Sequence, residues 1–472
     1  MSSVIAFDFG ASSGRAIKAS FDGEKITYSE IHRFENIPIV KDGHVFHDVD
    51  MIVREINLAL DKAGEYDSIA FDTWGVDYGL LDDSGKLISM PYHYRDVRTD
   101  GSLEKAKKIM PQSQLYGETG NQVMQINTLF QLINDENVKK ASTLLFMPDL
   151  FGYLLTGEKT CEYTIASTSQ MLSPKSKAWS KKVLESFAIN GSMLLKPQKA
   201  PAVLGKYRNG SVITVAGHDT QCAVAAMPCE SSETTAFLSC GTWSLIGCEL
   251  NEPILTEKSN SLELSNEIGA NGKINYLKNI SGLWLIQELK RDLAKRGKEY
   301  SYNQLEMLAR ESKPFKCFVD PDAPELSKHG NLIDKIRDYC SGTAQPVPET
   351  VGELVRCVYE SLALKYKYAI EQISACTGKN FERLHLLGGG TKDGFLCQMT
   401  ADSLDIPVIA GPVEATALGN IILQLIALGQ IDSVEQGRKI ISKTEKIYTY
   451  NSNHTSDLEN AYKIYVNIIE KN

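Results

Sequence analysis

The run Asp8-Phe9-Gly10-Ala11-Ser12-Ser13-Gly14-Arg15 combines an acid, a turn of small residues, two hydroxyls and a guanidinium. Small residues let backbone amides approach an anion closely, and amides in a tight turn point at its oxygens. Ser12 and Ser13 add hydroxyl donors, and Arg15 can meet a terminal phosphate as a fork. Asp8 has the chemistry to hold Mg²⁺ through water, because that ion keeps several of its waters. A plain hairpin needing glycine would use the same residues. Further on, Gly217-His218-Asp219-Thr220 places an acid where a strand gives way to a helix. The helix dipole favours an ionised carboxylate there, and such a group can orient a substrate hydroxyl and accept its proton. Asp and Thr are also common helix caps, which is the simpler reading.

Leu387-Gly388-Gly389-Gly390-Thr391 puts bare backbone between an apolar strand and a helix, room for a flat ligand such as a purine. Phe71-Asp72-Thr73-Trp74-Gly75-Val76-Asp77 offers Asp and Trp to the polar edges and apolar face of a sugar; a core tryptophan is the alternative. Other nucleotide and catalytic signatures are missing. There is no GxxxxGK[ST] loop, no GxGxxG after a strand, no HRD loop and no HExxH.

The elements that position these groups recur. Ser3 to Phe9 and Arg15 to Phe21 are β-rich runs joined by Gly10 to Gly14, which predicts a hairpin. Thr234 to Ser239, the turn at 240–242, and Trp243 to Leu250 predict a second. Each hairpin is followed by a strand–glycine–helix unit: Val212 to Val215 with a helix from Gln221, and Leu384 to Leu387 with a helix from Lys392. The duplication predicts two related domains, 1–228 and 229–472. Helices are expected over 48–64, capped by Asp48 or Asp50, from Pro148 to Gly157, over 351–375, and over 415–428. The class is α/β.

Composition is that of an ordinary globular chain, with 43% hydrophobic and 23% charged residues and a formal charge of −9. The acidic balance argues against a nucleic-acid partner. The start MSSVIAFDFG lacks a basic segment before a long apolar core, and no apolar run reaches the roughly 20 residues of a membrane helix. The nearest, Ala415 to Leu428, is interrupted by Thr416, Gly419, Asn420 and Gln424. The ten cysteines show no CxxC pair and no histidine at zinc spacing. A cytosolic chain with reduced core thiols is expected; a Cys340–Cys357 disulfide is the alternative.

Taken together, these motifs resemble the FGGY carbohydrate kinases. The resemblance is carried by DFGASSGR at 8–15, FDTWGVDYGLLD at 71–82, YRDVRT at 94–99, MPDLFGYLLTG at 147–157, GHDT at 217–220, CGTWSLIG at 240–247, KNISGLWLIQE at 278–288, LGGGTKD at 387–393 and AGPVEATALGN at 410–420. It runs from the first strand to about Gly429. It implies the two-domain actin-like (ribonuclease H-like) ATPase fold with a central interdomain cleft that closes over its substrates. The implied reaction is ATP- and Mg²⁺-dependent phosphorylation of a ketose, L-rhamnulose at O1, with L-fuculose or L-xylulose as alternatives.

Carried over by residue, the resemblance makes Asp219 the proton acceptor. Gly75, His218, Thr220 and Asn279 contact the sugar. Ala11, Ser12, Ser13, Gly14, Arg15, Thr242, Gln287 and Gly390 contact ATP. The first domain is implied to hold mainly the sugar and the base, the second mainly the nucleotide. The sugar and ATP are the expected partners of a monomer or homodimer. Two departures from the family pattern are Cys240, where serine is common, and Gly79, where a bulkier apolar residue is common. A catalytically idle sensor and an actin-fold ATPase are the competing classes; the intact Asp8, Asp219 and glycine loops weigh against the first.

Overall fold

The computed structural model describes residues 2–229 and 232–471. The chain divides into two compact units. The first comprises Met1–Pro228, Glu249–Tyr276 and Glu414–Glu445; the second comprises Cys229–Cys248, Leu277–Val413 and Lys446–Asn472.

The first unit is built on strands β1 (Ser2–Phe9), β2 (Ser13–Phe21), β3 (Ile26–Glu35), β4 (Ser68–Thr73), β5 (Ala202–Tyr207) and β6 (Gly210–Thr214). They lie in the order β5-β6-β4-β1-β2-β3. β1 and β2 form the expected hairpin, and its register sets Asp8 opposite Arg15. The turn is tighter than the sequence suggests. The Gly10 N–H donates to the Ser13 carbonyl at 2.8 Å, so β2 resumes at Ser13 and takes Gly14 into the ladder. Buried Asn36 clamps the turn, its own N–H bonding the Ser12 carbonyl and its side-chain amide the Gly10 carbonyl.

Alternation along β1 and β4 sorts residues onto two faces. Ile5, Phe7, Phe9, Ile69 and Phe71 join one core cluster. Phe7 stacks on Phe71 with centroids 5.1 Å apart, and Phe9 meets Phe151 edge-on at 5.4 Å. Pairs of this kind contribute about 0.5–1.5 kcal/mol beyond their buried area. Helix α1 (Val49–Ala63), capped by the Asp48 side chain, supplies Ile52, Ile56 and Leu60 to this core. Helix α2 (Met147–Thr156), with proline in its first turn and left-handed Gly157 as its stop, supplies Leu150 and Phe151.

The other face carries Ser68 and Asp72 against helix α4 (Ala415–Ala427), which also packs on the short helix α3 (Asp219–Ala225). The polar residues that interrupt α4 are its docking points. The Asn420 amide donates to Asp72 Oδ2 at 2.7 Å. Ser68 donates to Gln424 Oε1 at 2.7 Å, and Gln424 Nε2 donates to the Ile5 carbonyl at 3.0 Å.

In the second unit, β7 (Thr235–Cys240) pairs antiparallel with β8 (Trp243–Leu250) and parallel with β10 (Arg383–Leu387). β9 (Ile274–Ser281) lies beyond β8, and β11 (Val408–Ala410) and β12 (Tyr448–Tyr450) extend the sheet beyond β10. Helix α5 (Trp284–Lys295) follows β9. Helix α6 (Val351–Thr377) opens with a Thr350/Glu353 capping box. The helix expected from Lys392 starts instead at Gly394, because Gly389–Lys392 winds as a 3₁₀ turn and the Asp393 carboxylate caps the helix by accepting the Leu396 N–H. Among the described residues, no helix is long and apolar enough to cross a membrane.

Candidate active site

Three neighbouring parallel strands of the first unit end in acids or lead to one. Asp8 and Asp72 are register partners on β1 and β4. Thr73, the next residue of β4, bridges His218 in the segment leaving β6, its N–H bonded to the Gly217 carbonyl at 2.8 Å. Open α/β sheets bind ligands beyond the carboxyl ends of their strands, and this edge gathers Asp8, Asp72 and Asp219 there.

Asp219 is the first residue of α3, two positions ahead of the expected start, with His218 as the N-cap. Its Oδ1 accepts the Thr220 N–H at 2.6 Å and lies 3.4 Å from His218 Nε2. The side chain is 34% exposed, so it combines fixed geometry with access. Burial raises its pKa above the ordinary carboxylate value; His218 pulls the other way and the Asp8 charge adds to the rise. That direction suits a base working near neutral pH. His218 is buried, with Nδ1 3.1 Å from Glu267 Oε2. Burial alone would lower its pKa, but Glu267, Asp219 and Glu162 together bring it above the usual histidine range. Gln221 donates to Glu267 at 2.7 Å, and Glu162 accepts the Gly217 N–H at 2.9 Å. Glu162 therefore holds the backbone just ahead of His218 and Glu267 holds the His218 side chain, and no motif advertised either carboxylate.

Arg15 closes the β1 end of this edge. Its Nε and Nη2 donate to Asp8 Oδ2 at 3.0 and 2.6 Å, and Nη1 pairs with Glu414, just ahead of α4. Ala11 and Ser13 are half-buried, Ser12 is exposed and Gly14 is buried. Asp72 is fully buried, and its Oδ1 has no partner. Burial, then the Asp8 and Asp219 charges, push its carboxyl well up. This crowded set of oxygen donors, one of them orphaned, fits a hard divalent cation.

Other parts of the 71–82 motif serve packing. Thr73 ends β4, and Trp74 and Asp77 are buried, which favours the core reading over a sugar wall. Trp74 Nε1 donates to Asp77 Oδ2 at 2.9 Å, and that oxygen also meets His47 Nε2 at 2.7 Å. Gly75 lies half-buried beside Thr168, and Thr220 is buried in α3. Gly79 leaves no gap: an added Cβ would stand 2.8 Å from Leu150 and 2.9 Å from Leu87.

In the second unit, the β7–β8 turn is bound to the start of α5. The Leu283 N–H donates to the Gly241 carbonyl at 2.9 Å and the Trp284 N–H to that of Thr242 at 3.2 Å. This sets half-buried Thr242 beside the helix that carries half-buried Gln287. Asn279, also half-buried, lies on β9. Gly388, with φ of +83°, turns the chain at the end of β10. Gly390 is buried against Cys240, whose Sγ would stand 2.3 Å from an added Cβ. The Cys240 thiol, pushed up to about 12 by burial, is packing rather than reactive.

Family models for the carbohydrate kinases of the FGGY family match this chain over residues 3–229 (N-terminal domain) and 236–428 (C-terminal domain). The chain belongs to the FGGY family of carbohydrate kinases. Rhamnulokinase of Bacteroides thetaiotaomicron is 37% identical over 98% of this chain and 99% of its own length. Rhamnulokinase of Halalkalibacterium halodurans is 40% identical over 94% and 98%. A solved xylulose kinase of Lactobacillus acidophilus superposes with a TM-score of 0.80 at 15% identity, covering 100% of this chain and 98% of that one. That likeness shows the fold expected from the sequence, which this FGGY chain shares.

Proposed function

We propose that the chain transfers the γ-phosphoryl group of ATP to O1 of L-rhamnulose, giving L-rhamnulose 1-phosphate in a cytoplasmic sugar-catabolic step. The observation that carries the reading is Asp219: fixed at a helix start, partly exposed, and grouped with Asp8 and Asp72 at the ends of adjacent strands. The choice of sugar rests on the relatives named rhamnulokinase.

In the mechanism, Asp219 accepts the O1 proton as the sugar oxygen attacks the γ-phosphorus and ADP leaves. His218, Thr220, Gly75 and Asn279 hold the sugar. His218 lowers the pKa of Asp219 against the rise that burial imposes, which favours the ionised form that takes the proton. Ala11 to Arg15 present turn amides, hydroxyls and one guanidinium to the phosphates, and Thr242, Gln287 and Gly390 hold the nucleotide. Residues 1–228 thus act mainly on the sugar and 229–472 mainly on the nucleotide. Mg²⁺, when bound with ATP, neutralises charge on the phosphates. Asp8 would hold that ion through water.

Coupled detection of ADP with L-rhamnulose, L-fuculose and L-xylulose, and NMR of the product, test the assignment. The highest kcat/KM is expected for L-rhamnulose, with phosphate on O1. A higher value for another ketose reassigns the substrate, and equal ADP release without sugar replaces the reading with an ATPase.

Glu267→Gln tests the charge relay. Removing the carboxylate at His218 Nδ1 lowers the His218 pKa, so His218 is less often cationic at neutral pH. Asp219 then loses an influence that lowers its own pKa. The acidic limb of the kcat/KM profile is expected to move to higher pH. A limb at the wild-type position would show that Glu267 serves packing alone.

A further inference from the structure

Three thiols that share no sequence motif meet at one point of the second unit. Cys317 lies in an irregular segment, Cys340 near the end of the helix Leu332–Gly342, and Cys357 in the second turn of α6. Their Sγ atoms all lie within 4.8 Å of one another. All three are buried, free thiols.

The backbone bearing Cys317 is fixed by its neighbours. The Phe315 N–H donates to the Glu360 carboxylate at 2.9 Å, and Lys316 Nζ pairs with Glu353 at 2.7 Å. Phe318 exchanges two 2.8 Å hydrogen bonds with the Gln345 side chain. The Val319 N–H donates to Ser361 Oγ at 2.9 Å, and that hydroxyl donates to the Cys357 carbonyl at 2.6 Å. The backbone on both sides of Cys317 and the carbonyl of Cys357 are therefore held in place by the protein itself.

We propose that Cys317, Cys340 and Cys357 form a three-thiolate site for a soft, thiophilic d¹⁰ metal ion, Cu⁺ or Zn²⁺. Sulfurs each about 2.3 Å from a shared ion stand roughly 4 Å apart, which the triangle accommodates. Among the described residues, the group includes no imidazole or carboxylate donor. Hard cations that need oxygen ligands are thereby disfavoured, and soft ions favoured. On binding, each thiol releases its proton to solvent as a metal–sulfur bond forms; no oxidation is involved. The ion would tie the 315–319 segment to both helices.

The test uses the full chain, purified with reductant and chelator and then desalted. Zn²⁺ and chelator-buffered Cu⁺ are added separately, and retained metal is counted by mass spectrometry. One ion per chain is expected for at least one of the two, with Mg²⁺ and Ca²⁺ not retained there. Cys317→Ser, Cys340→Ser and Cys357→Ser should each lower retention at least tenfold, whereas Cys376→Ser should not. Because serine at a buried site can impair folding, the wild type supplies a second readout: a near-ultraviolet sulfur-to-metal charge-transfer band on adding Co²⁺ or Cu⁺. Failure of the wild type to retain either ion overturns the proposal. So does undiminished retention by the serine variants, a missing charge-transfer band, or a pair of these cysteines found oxidised in the reduced preparation.

Discussion

Asp219→Asn is expected to lower kcat by roughly 10²- to 10⁴-fold, the range for loss of a positioned base. ATP and sugar should still bind. The substitution is nearly isosteric, and the amide oxygen can go on accepting the Thr220 N–H that meets Oδ1 at 2.6 Å. The start of α3 is therefore kept. What disappears is the capacity to take the O1 proton, together with the negative charge facing His218 Nε2 at 3.4 Å. Steady-state kinetics beside equilibrium binding of each ligand separate the two effects. A near wild-type kcat would remove Asp219 from the mechanism. A kcat loss matched by loss of sugar binding would recast it as a binding residue.

The second large effect lies behind the base. An added Cβ at Gly419 would stand 1.8 Å from the Cys222 carbonyl oxygen and 2.5 Å from its carbon. Both are backbone of α3, so no rotamer change relieves the clash. Overpacking usually costs about 1–3 kcal/mol, and an unyielding backbone contact places Gly419→Ala at or above the top of that range. Separation of α4 from α3 should also displace Asp219 and lower kcat in whatever protein still folds. Gly117→Ala, inside the helix Gln112–Thr119, is the control. Nothing stands within 4 Å of a Cβ added there. Urea unfolding and kcat on both variants decide the matter. Equal, small shifts would mean that α4 has room to retreat.

Cys340 and Cys357 show how far spacing can be read. The alternative of a disulfide treats them as a pair, whereas the structure leaves both thiols free and adds Cys317 from a third segment. A search for CxxC or for zinc-like intervals finds ligands carried by one short element; it is blind to three elements that converge.

Much of the architecture follows from neighbours in the chain. Alternation fixes the β1–β2 hairpin and, through it, the Asp8–Arg15 pair. Asp48, Thr350 and Gly157 punctuate helices by local hydrogen bonds and backbone angles. The glycine turns and the GHDT run carry the family resemblance in types and spacing alone. Tertiary structure decided which side chains these segments would meet. Asn420 went to Asp72, Glu267 to His218 and Glu414 to Arg15, while Trp74 and Asp77 turned inward. Dihedral preference and hydrophobic period act over a few residues, so they specify elements. Pairing a buried polar group with a partner dozens to hundreds of residues away depends on which faces pack together, and that is settled when the whole core closes.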